Sequence, residues 1–325
     1  MNPAFDISVV VSSYNRDDKV LQSLQRLFES DLSVFTKVEL LVIDDGSPRP
    51  LNGLLSAIDS VPEKIEWRLI TQANAGIGAT RNRGYREAKA PLVIFLDDDI
   101  LVHTNTLQLL YATQQNGPGP VIFGNYPFIT HASGSLQKFA EQLYGYHSVD
   151  TEVRYTKVDA ITSGLLVVNK NKLPDPDHFY KDDLSVPAAE EYEIIARFNR
   201  LGIPIHMAAH IHAVHNHHLE LPWLVQQQYK YGLGTAEAFI KYPDCNSLER
   251  FAALKKKLDA QQSGIRSLPK RLLASALGRK LIMGWARLRG VEQSSKNHNR
   301  LIGILTSAYF WAGYRDGLKK FRPAT

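Results

Sequence analysis

The sequence predicts an α/β protein with a mostly parallel sheet flanked by helices and a helical C-terminal extension. Three observations predict it. Apolar runs with the branched and aromatic make-up of buried strands recur through about the first hundred residues, and polar loops end them. Between the runs lie apolar residues at helical spacing, and strands alternating with helices imply parallel pairing through right-handed crossovers. Beyond Arg250 the chain turns strongly basic, which marks a region of different character.

The elements follow in order. Ile7 to Ser13 reads as a buried strand, and Ser12-Ser13-Tyr14-Asn15-Arg16 as the loop at its carboxyl end. Asp17 or Asp18 then caps a helix whose Val20, Leu21, Leu24, Leu27 and Phe28 share one face. Val38 to Ile43 repeats the strand and ends in Asp44-Asp45-Gly46-Ser47. A helix over about Leu51 to Ser60 leads to a third strand, Ile65 to Thr71. Gln72 to Gly78 is a glycine-containing loop, followed by a helix carrying Arg81, Arg83 and Arg86, of which Arg83 and Arg86 fit a solvated face. Leu92 to Leu96 closes the series as a strand buried on both faces, and Asp97-Asp98-Asp99 follow with no spacer.

Parallel strands bring the polar ends at Ser12-Ser13, Asp44-Asp45 and Asp97 to Asp99 to one rim, the place where open α/β sheets bind ligands. Adjacent carboxylates raise each other's pKa unless a cation or a hydrogen-bonding ligand offsets the repulsion. Hard oxygens beside a phosphate-bearing ligand suit Mg²⁺ or Mn²⁺. A solvated loop whose aspartate caps a helix starting near Thr104 accounts for the same residues. An EF-hand loop does not, because Val102 and Gln108 stand where glycine and glutamate are required. The aspartyl-phosphatase pattern fails at Leu101, and two βα units precede the motif. The first turn holds no glycine, so the dinucleotide fingerprint is missing, as is a phosphate-loop lysine motif.

Composition agrees with a globular enzyme or binding protein: 325 residues, 44% hydrophobic and 22% charged. The single cysteine, Cys245, excludes an intrachain disulfide and a thiolate zinc cluster, and with no signal-peptide pattern it predicts a cytoplasmic setting. Leu301 to Tyr314 is too short to span a bilayer of about 30 Å. The net charge of +5 divides unevenly. From Arg250 onward 17 Lys and Arg face 3 Asp and Glu, a net of +14, which leaves −9 for the preceding residues.

Four stretches together resemble the family 2 glycosyltransferases of the GT-A fold. They are Val10 to Arg16, Val42 to Ser47, Asn74 to Gly76 with Ala79 to Gly84, and Phe95 to Asp99, in order and at the family's spacing. The resemblance implies a nucleotide-sugar donor, a UDP-sugar among them, a divalent cation (Mn²⁺ or Mg²⁺) and transfer with inversion to a carbohydrate or lipid-linked acceptor. It implies that Ser12 and Asp45 hold the base and ribose, that Arg81 fixes the nucleotide, and that Asp97 contacts the ribose or sugar. It further implies that Ser13, Tyr14 and Asp98 complete the nucleotide-facing set and that Asp99 binds the metal. A nucleotidyl- or phosphotransferase on a similar sheet, and a non-catalytic sugar-nucleotide-binding protein, remain alternatives.

The second half carries fewer signals. Val121 to Tyr126 and Ala160 to Val168 read as strands, Ser135 to Tyr146 as a helix, and Asp175 to Leu184 as an acidic loop, either solvated or over the site. Ala189 to Phe198 reads as a helix start with acidic residues at the favourable end of the macrodipole. In the family a Glu-Asp pair precedes this helix, so Glu191 takes the place of the general base, with Glu190 as rival. Six of the eleven histidines lie from His206 to His218. Alternation along a strand explains most of them, and the resemblance gives His215, then His217, as a metal ligand. Leu219 to Tyr242 predicts one helix, or two around Gly232 and Gly234. Arg266 to Arg289 predicts a basic amphipathic helix with Trp285, suited to an anionic membrane surface at the inner face; packing against the acidic remainder is the competing reading, and no nucleic-acid motif accompanies the charge. The expected division is a catalytic domain over 1–218, with a nucleotide half to 100 and an acceptor half from 101, and a basic helical region over 219–325.

Overall fold

A computed structural model describes residues 4–49, 51, 53, 58, 60–126, 134–144, 154–186, 188–217, 219–260, 275–291 and 298–322. The chain divides into two compact units. One comprises Met1–Phe128, Ser148–Asp183 and Phe198–Asn216; the other comprises Ile129–His147, Leu184–Arg197 and His217–Thr325. The expected helix at 51–60, the end of the helix at 145–146, His218 and the basic stretch 261–274 lie wholly or mainly outside the described residues.

The first unit contains β1 (Ile7–Ser13), α1 (Asp17–Phe28), β2 (Val38–Asp44), β3 (Ile65–Thr71), α2 (Ile77–Glu87) and β4 (Leu92–Asp97). β5 (Ile100–Val102), α3 (Thr106–Asn116), β6 (Val121–Asn125), β7 (Thr156–Lys157), β8 (Leu165–Asn169) and β9 (Ile205–His215) complete it. Among the described residues the strands form one sheet in the order β3-β2-β1-β4-β8-β6-β9-β5, with β7 paired to β9. β3, β2, β1 and β4 run parallel, as the alternating pattern predicts. β8 runs antiparallel to β4 and β6, and β9 parallel to β6, so the sheet is mixed beyond the fourth strand. Every residue of β1 and β2 is buried, because helices or loops cover both faces of a parallel sheet. The sheet core is built from side chains such as Val9, Val11, Leu40, Val42, Ile94 and Leu165.

Three local expectations are corrected. Asp17 and Asp18 sit in the first turn of α1 and Arg16 at its N-cap, where no side chain caps the helix. The strand expected from Ala160 begins at Leu165, because the backbone around Gly164 turns to bond with β4, Asp97 N donating to Gly164 O at 3.1 Å. The helix expected from Ala189 begins at Glu191, because Ala189 has a φ of 66°, a left-handed conformation outside the helical well.

The second unit holds α4 (Ser135–Tyr144), α5 (Glu191–Arg200, whose last turn belongs to the first unit), α6 (Leu221–Lys241), α7 (Glu249–Ala260), α8 (Ala276–Leu288) and α9 (Asn299–Phe321). α6 is one unbroken helix, and its glycines serve close approach rather than a break. A Cβ on Gly232 would lie 1.9 Å from Phe310 O on α9, and one on Gly313 would lie 2.0 Å from Tyr229 O on α6. The two helices therefore meet main chain to main chain. Around them Leu224, Met283, Ala286, Ile302, Leu305 and Tyr309 share a core. No helix among the described residues is long and apolar enough to cross a membrane.

Candidate functional site

The register aligns the carboxyl ends of the central strands: Ser12 pairs with Asp97, and Ser13 with Asp44. The loops after these strands are tied together. Asp45 N donates to Ser13 O at 2.9 Å, and Asn216 N to Asp99 O at 2.7 Å. Thus Ser12, Ser13, Asp45, Arg81, Asp97, Asp98, Asp99 and His215 gather on the first unit, with Tyr14 about half exposed beside them.

Asp98 and Asp99 are each only 4% exposed. Ser13 Oγ donates to Asp98 Oδ2 at 2.7 Å. A single nitrogen of Arg16 reaches both carboxylates, at 3.1 Å to Asp98 Oδ1 and 2.6 Å to Asp99 Oδ2. His215 Nε2, at the end of β9, lies 3.3 Å from Asp99 Oδ1. Burial, opposed by Arg16 and reinforced by Asp99, pushes the Asp98 carboxyl up to about 7. Burial acts the same way on Asp99, but His215 and Arg16 outweigh it and hold that carboxyl well below the usual range. Neighbouring acids are thereby driven apart, one towards the protonated form and one firmly ionised. Among the described residues no cluster of three or more His, Cys, Asp or Glu side chains is arranged as a metal site. Here a guanidinium is the cation that answers the two carboxylates.

Asp97 faces another way and takes a 2.7 Å ion pair from Arg81. The Arg81 guanidinium also lies 5.3 Å from the Tyr180 ring centroid. Asp45 accepts from Gln72 Nε2 at 2.8 Å, Ala75 N at 2.9 Å and Gly76 N at 3.0 Å, so its carboxylate shapes the loop before α2. Ser12 Oγ is buried with no hydrogen-bond partner among the described residues. A buried hydroxyl normally finds a partner, and its position on the rim suits one brought by a ligand.

Sequence reasoning did not single out Asn82 or Arg16. Asn82 is fully buried in α2: its Oδ1 accepts from Phe179 N at 3.0 Å and Tyr180 N at 2.9 Å, and its Nδ2 donates to Tyr180 O at 2.8 Å and to the Asp182 carboxylate. The acidic loop is therefore anchored rather than simply solvated. Arg16 follows Asn15, whose φ of 53° is one of two left-handed non-glycine values among the described residues. The other is Ala189, directly before Glu190 and Glu191. Backbone strain of this kind persists where the surroundings impose it.

Glu190 and Glu191 belong to the second unit. Glu190 is buried, and Glu191 opens α5. The segment before them is held by Glu237 of α6, which sequence reasoning also passed over. Its carboxylate accepts from Ser185 N at 2.8 Å, Ser185 Oγ at 2.9 Å and Val186 N at 3.0 Å, with Lys241 Nζ at 3.0 Å.

The fold and rim define an α/β protein that presents a buried hydroxyl, an arginine and clustered carboxylates at the carboxyl ends of parallel strands. The chain belongs to glycosyl transferase family 2, whose family model matches residues 8–173, just over half of it. It is 27% identical over 131 residues to glycosyltransferase GlyG of Streptococcus pneumoniae serotype 4, covering 40% of this chain and 42% of that protein. It is 27% identical over 121 residues to the poly(ribitol-phosphate) beta-N-acetylglucosaminyltransferase TarP of Staphylococcus aureus, covering 37% and 36%. The alignments thus span about two fifths of these relatives. Its fold is similar to that of a mannosyltransferase from Pyrobaculum calidifontis solved with GDP-Man and Mn²⁺, with a TM-score of 0.62, 14% identity and coverage of 98% of this chain and 88% of that one.

Proposed function

We propose that the chain transfers a sugar, with inversion, from a nucleoside-diphosphate sugar to an acceptor hydroxyl with the help of a divalent cation. The observation that carries this is the rim on which Ser12, the Arg81–Asp97 pair and the Asp98–Asp99–His215 group meet. The likeness to a protein solved with GDP-Man and Mn²⁺ supports the donor class and the cation.

By their chemistry the carboxylate oxygens suit Mn²⁺ or Mg²⁺, and an ion would take the place that the Arg16 guanidinium holds against Asp98 and Asp99, with His215 beside it. Asp99 and His215 would hold the ion, which when bound neutralises charge on the departing diphosphate. The chain's own residues do the rest. Ser12 and the loop fixed by Asp45 receive the base and ribose, with the exposed Tyr14 ring beside them. Asp98 supports that nucleotide-facing set through Ser13, and Asp97, oriented by Arg81, accepts from a hydroxyl of the ribose or sugar. Glu191, or its rival Glu190, takes the acceptor proton as the hydroxyl oxygen bonds to the anomeric carbon. The bond from that carbon to the phosphate oxygen breaks, and its electron pair leaves on the nucleoside diphosphate.

The acceptor we propose is a carbohydrate or lipid-linked glycan, with the protein cytoplasmic and its basic C-terminal region peripheral to the membrane. Incubation with UDP-sugars and GDP-mannose in Mn²⁺, scored for nucleoside diphosphate against monophosphate or pyrophosphate, tests the reaction. Diphosphate release is expected. Monophosphate or pyrophosphate would favour the phospho- or nucleotidyltransferase alternative, and donor binding without release a non-catalytic protein. Glu191→Gln should retain donor binding and lower turnover by about 10²; a larger loss in Glu190→Gln would exchange the two roles.

A further inference from the structure

α8 lies on the second unit with two unlike faces. Met283 and Ala286 are buried and share the core with Leu224, Ile302 and Tyr309. The opposite face is apolar and open: Leu277 is 67%, Leu281 66%, Trp285 48% and Leu288 87% exposed. Spacings of four, four and three residues put these side chains in a single stripe. A soluble surface scatters large apolar side chains singly, so a four-residue stripe signals a partner.

The charges around the stripe state the partner's chemistry. α8 contains no acidic residue. On the helical wheel Lys280 and Arg287 border the stripe on one side and Arg289 on the other, all three exposed. Arg289 lies 5.2 Å from the Trp285 ring centroid, so the cation and the amphipathic ring stand together at the helix end. Long basic side chains can extend to phosphate level while their stems and the leucines remain in an apolar layer. The helix is also independently terminated, with Ser275 Oγ accepting from Gly278 N at 3.0 Å and Gly290 left-handed at φ 58°. Its orientation is set by its buried face, which leaves the stripe outward.

We infer that this face of α8 is a docking surface for an anionic lipid bilayer, with Leu277, Leu281, Trp285 and Leu288 entering the interfacial layer and Lys280, Arg287 and Arg289 meeting lipid phosphates. This gives the proposed membrane partner a contact surface and is independent of the catalytic reading. A second protein or a second copy of this chain would instead have to offer apolar surface ringed by carboxylates.

The test uses the full chain and co-sedimentation with vesicles of phosphatidylcholine alone or with phosphatidylglycerol. Binding should require the anionic lipid and weaken as salt rises. Leu281→Ser with Trp285→Ser should lower the vesicle partition coefficient by about tenfold or more, while far-UV dichroism, thermal midpoint and donor binding stay unchanged. Lys280→Glu with Arg287→Glu should remove the preference for phosphatidylglycerol, each cation contributing about fivefold. Unaltered vesicle binding in both double variants would overturn the assignment, even if another basic segment attaches the chain. A wild-type dimer in light scattering that becomes monomeric in Leu281→Ser with Trp285→Ser would overturn it as well, by identifying a second copy as the occupant.

Discussion

Replacing Asn82 by alanine should release the loop that carries Tyr180. The side chain is fully buried and satisfies two backbone N–H groups, of Phe179 and Tyr180, together with the carbonyl of Tyr180. Alanine reproduces none of these bonds. A buried polar group left unpaired costs about 1–3 kcal/mol, and water entering the space relieves part of it, so three orphaned groups give a loss of about 3 kcal/mol. That figure corresponds to roughly a hundredfold in the opening equilibrium. Hydrogen exchange read by mass spectrometry on a peptide covering 178–183 should therefore accelerate about a hundredfold in Asn82→Ala, with the strands of the sheet core unaffected. Because the Tyr180 ring lies over the guanidinium that pairs with Asp97, donor affinity should fall in the same variant. Exchange within a factor of about three of wild type would refute the accounting, for it would mean the loop is held by its aromatic contacts alone.

Two further outcomes follow from charges. In Arg16→Met the cation facing Asp98 and Asp99 is removed, so Mn²⁺ binding measured by calorimetry without nucleotide should tighten by up to about fivefold, the roughly 1 kcal/mol of a partly exposed ion pair; unchanged or weaker binding would mean that Arg16 does not compete for that place. Burial acts to raise the Glu237 carboxyl, but hydrogen bonds from Ser185, Lys241 and Val186 prevail and hold it below its ordinary value of 4.5. The folded-state value being the lower one, this stabilisation is full above about pH 4.5 and is lost as pH falls through the folded value. Glu237→Gln should accordingly show a lower thermal midpoint at pH 7 and a flatter acid limb; parallel curves for the two proteins would sink that linkage.

What the sequence disclosed divides along physical lines. β1, β2 and β4 were legible because continuous apolar runs ending in polar loops have few other uses, and parallel alignment then makes distant loops neighbours. Ser12, Asp97 and Asp99 were reached by that route. Arg16 and Asn82 were not, since the partners of one lie more than eighty residues away and those of the other, Asp182 apart, are backbone groups no composition reveals. A signal for Asn82 existed: Gly78, Asn82 and Tyr85 form a buried stripe on a helix otherwise rich in arginine. Glu237 was passed over because, Lys241 apart, its partners at Ser185 and Val186 are also backbone and hydroxyl groups. Gly232 and Gly234 were read as a possible break, whereas the neighbouring helix decides their use, and its register is absent from any local pattern.

The glycine contact between α6 and α9 is one part of the second unit whose response to temperature differs from that of the apolar core around it. Each glycine in a helix interior costs about 1 kcal/mol relative to alanine. What it permits is backbone against backbone, a contact that immobilises no rotamer-rich side chain and rests on dispersion at close range. Apolar burial, by contrast, carries a large heat-capacity change and weakens on cooling. The interhelical contact should thus hold nearly constant strength from cold to warm conditions, while the leucine- and valine-filled sheet of the first unit follows the curved dependence of a hydrophobic core.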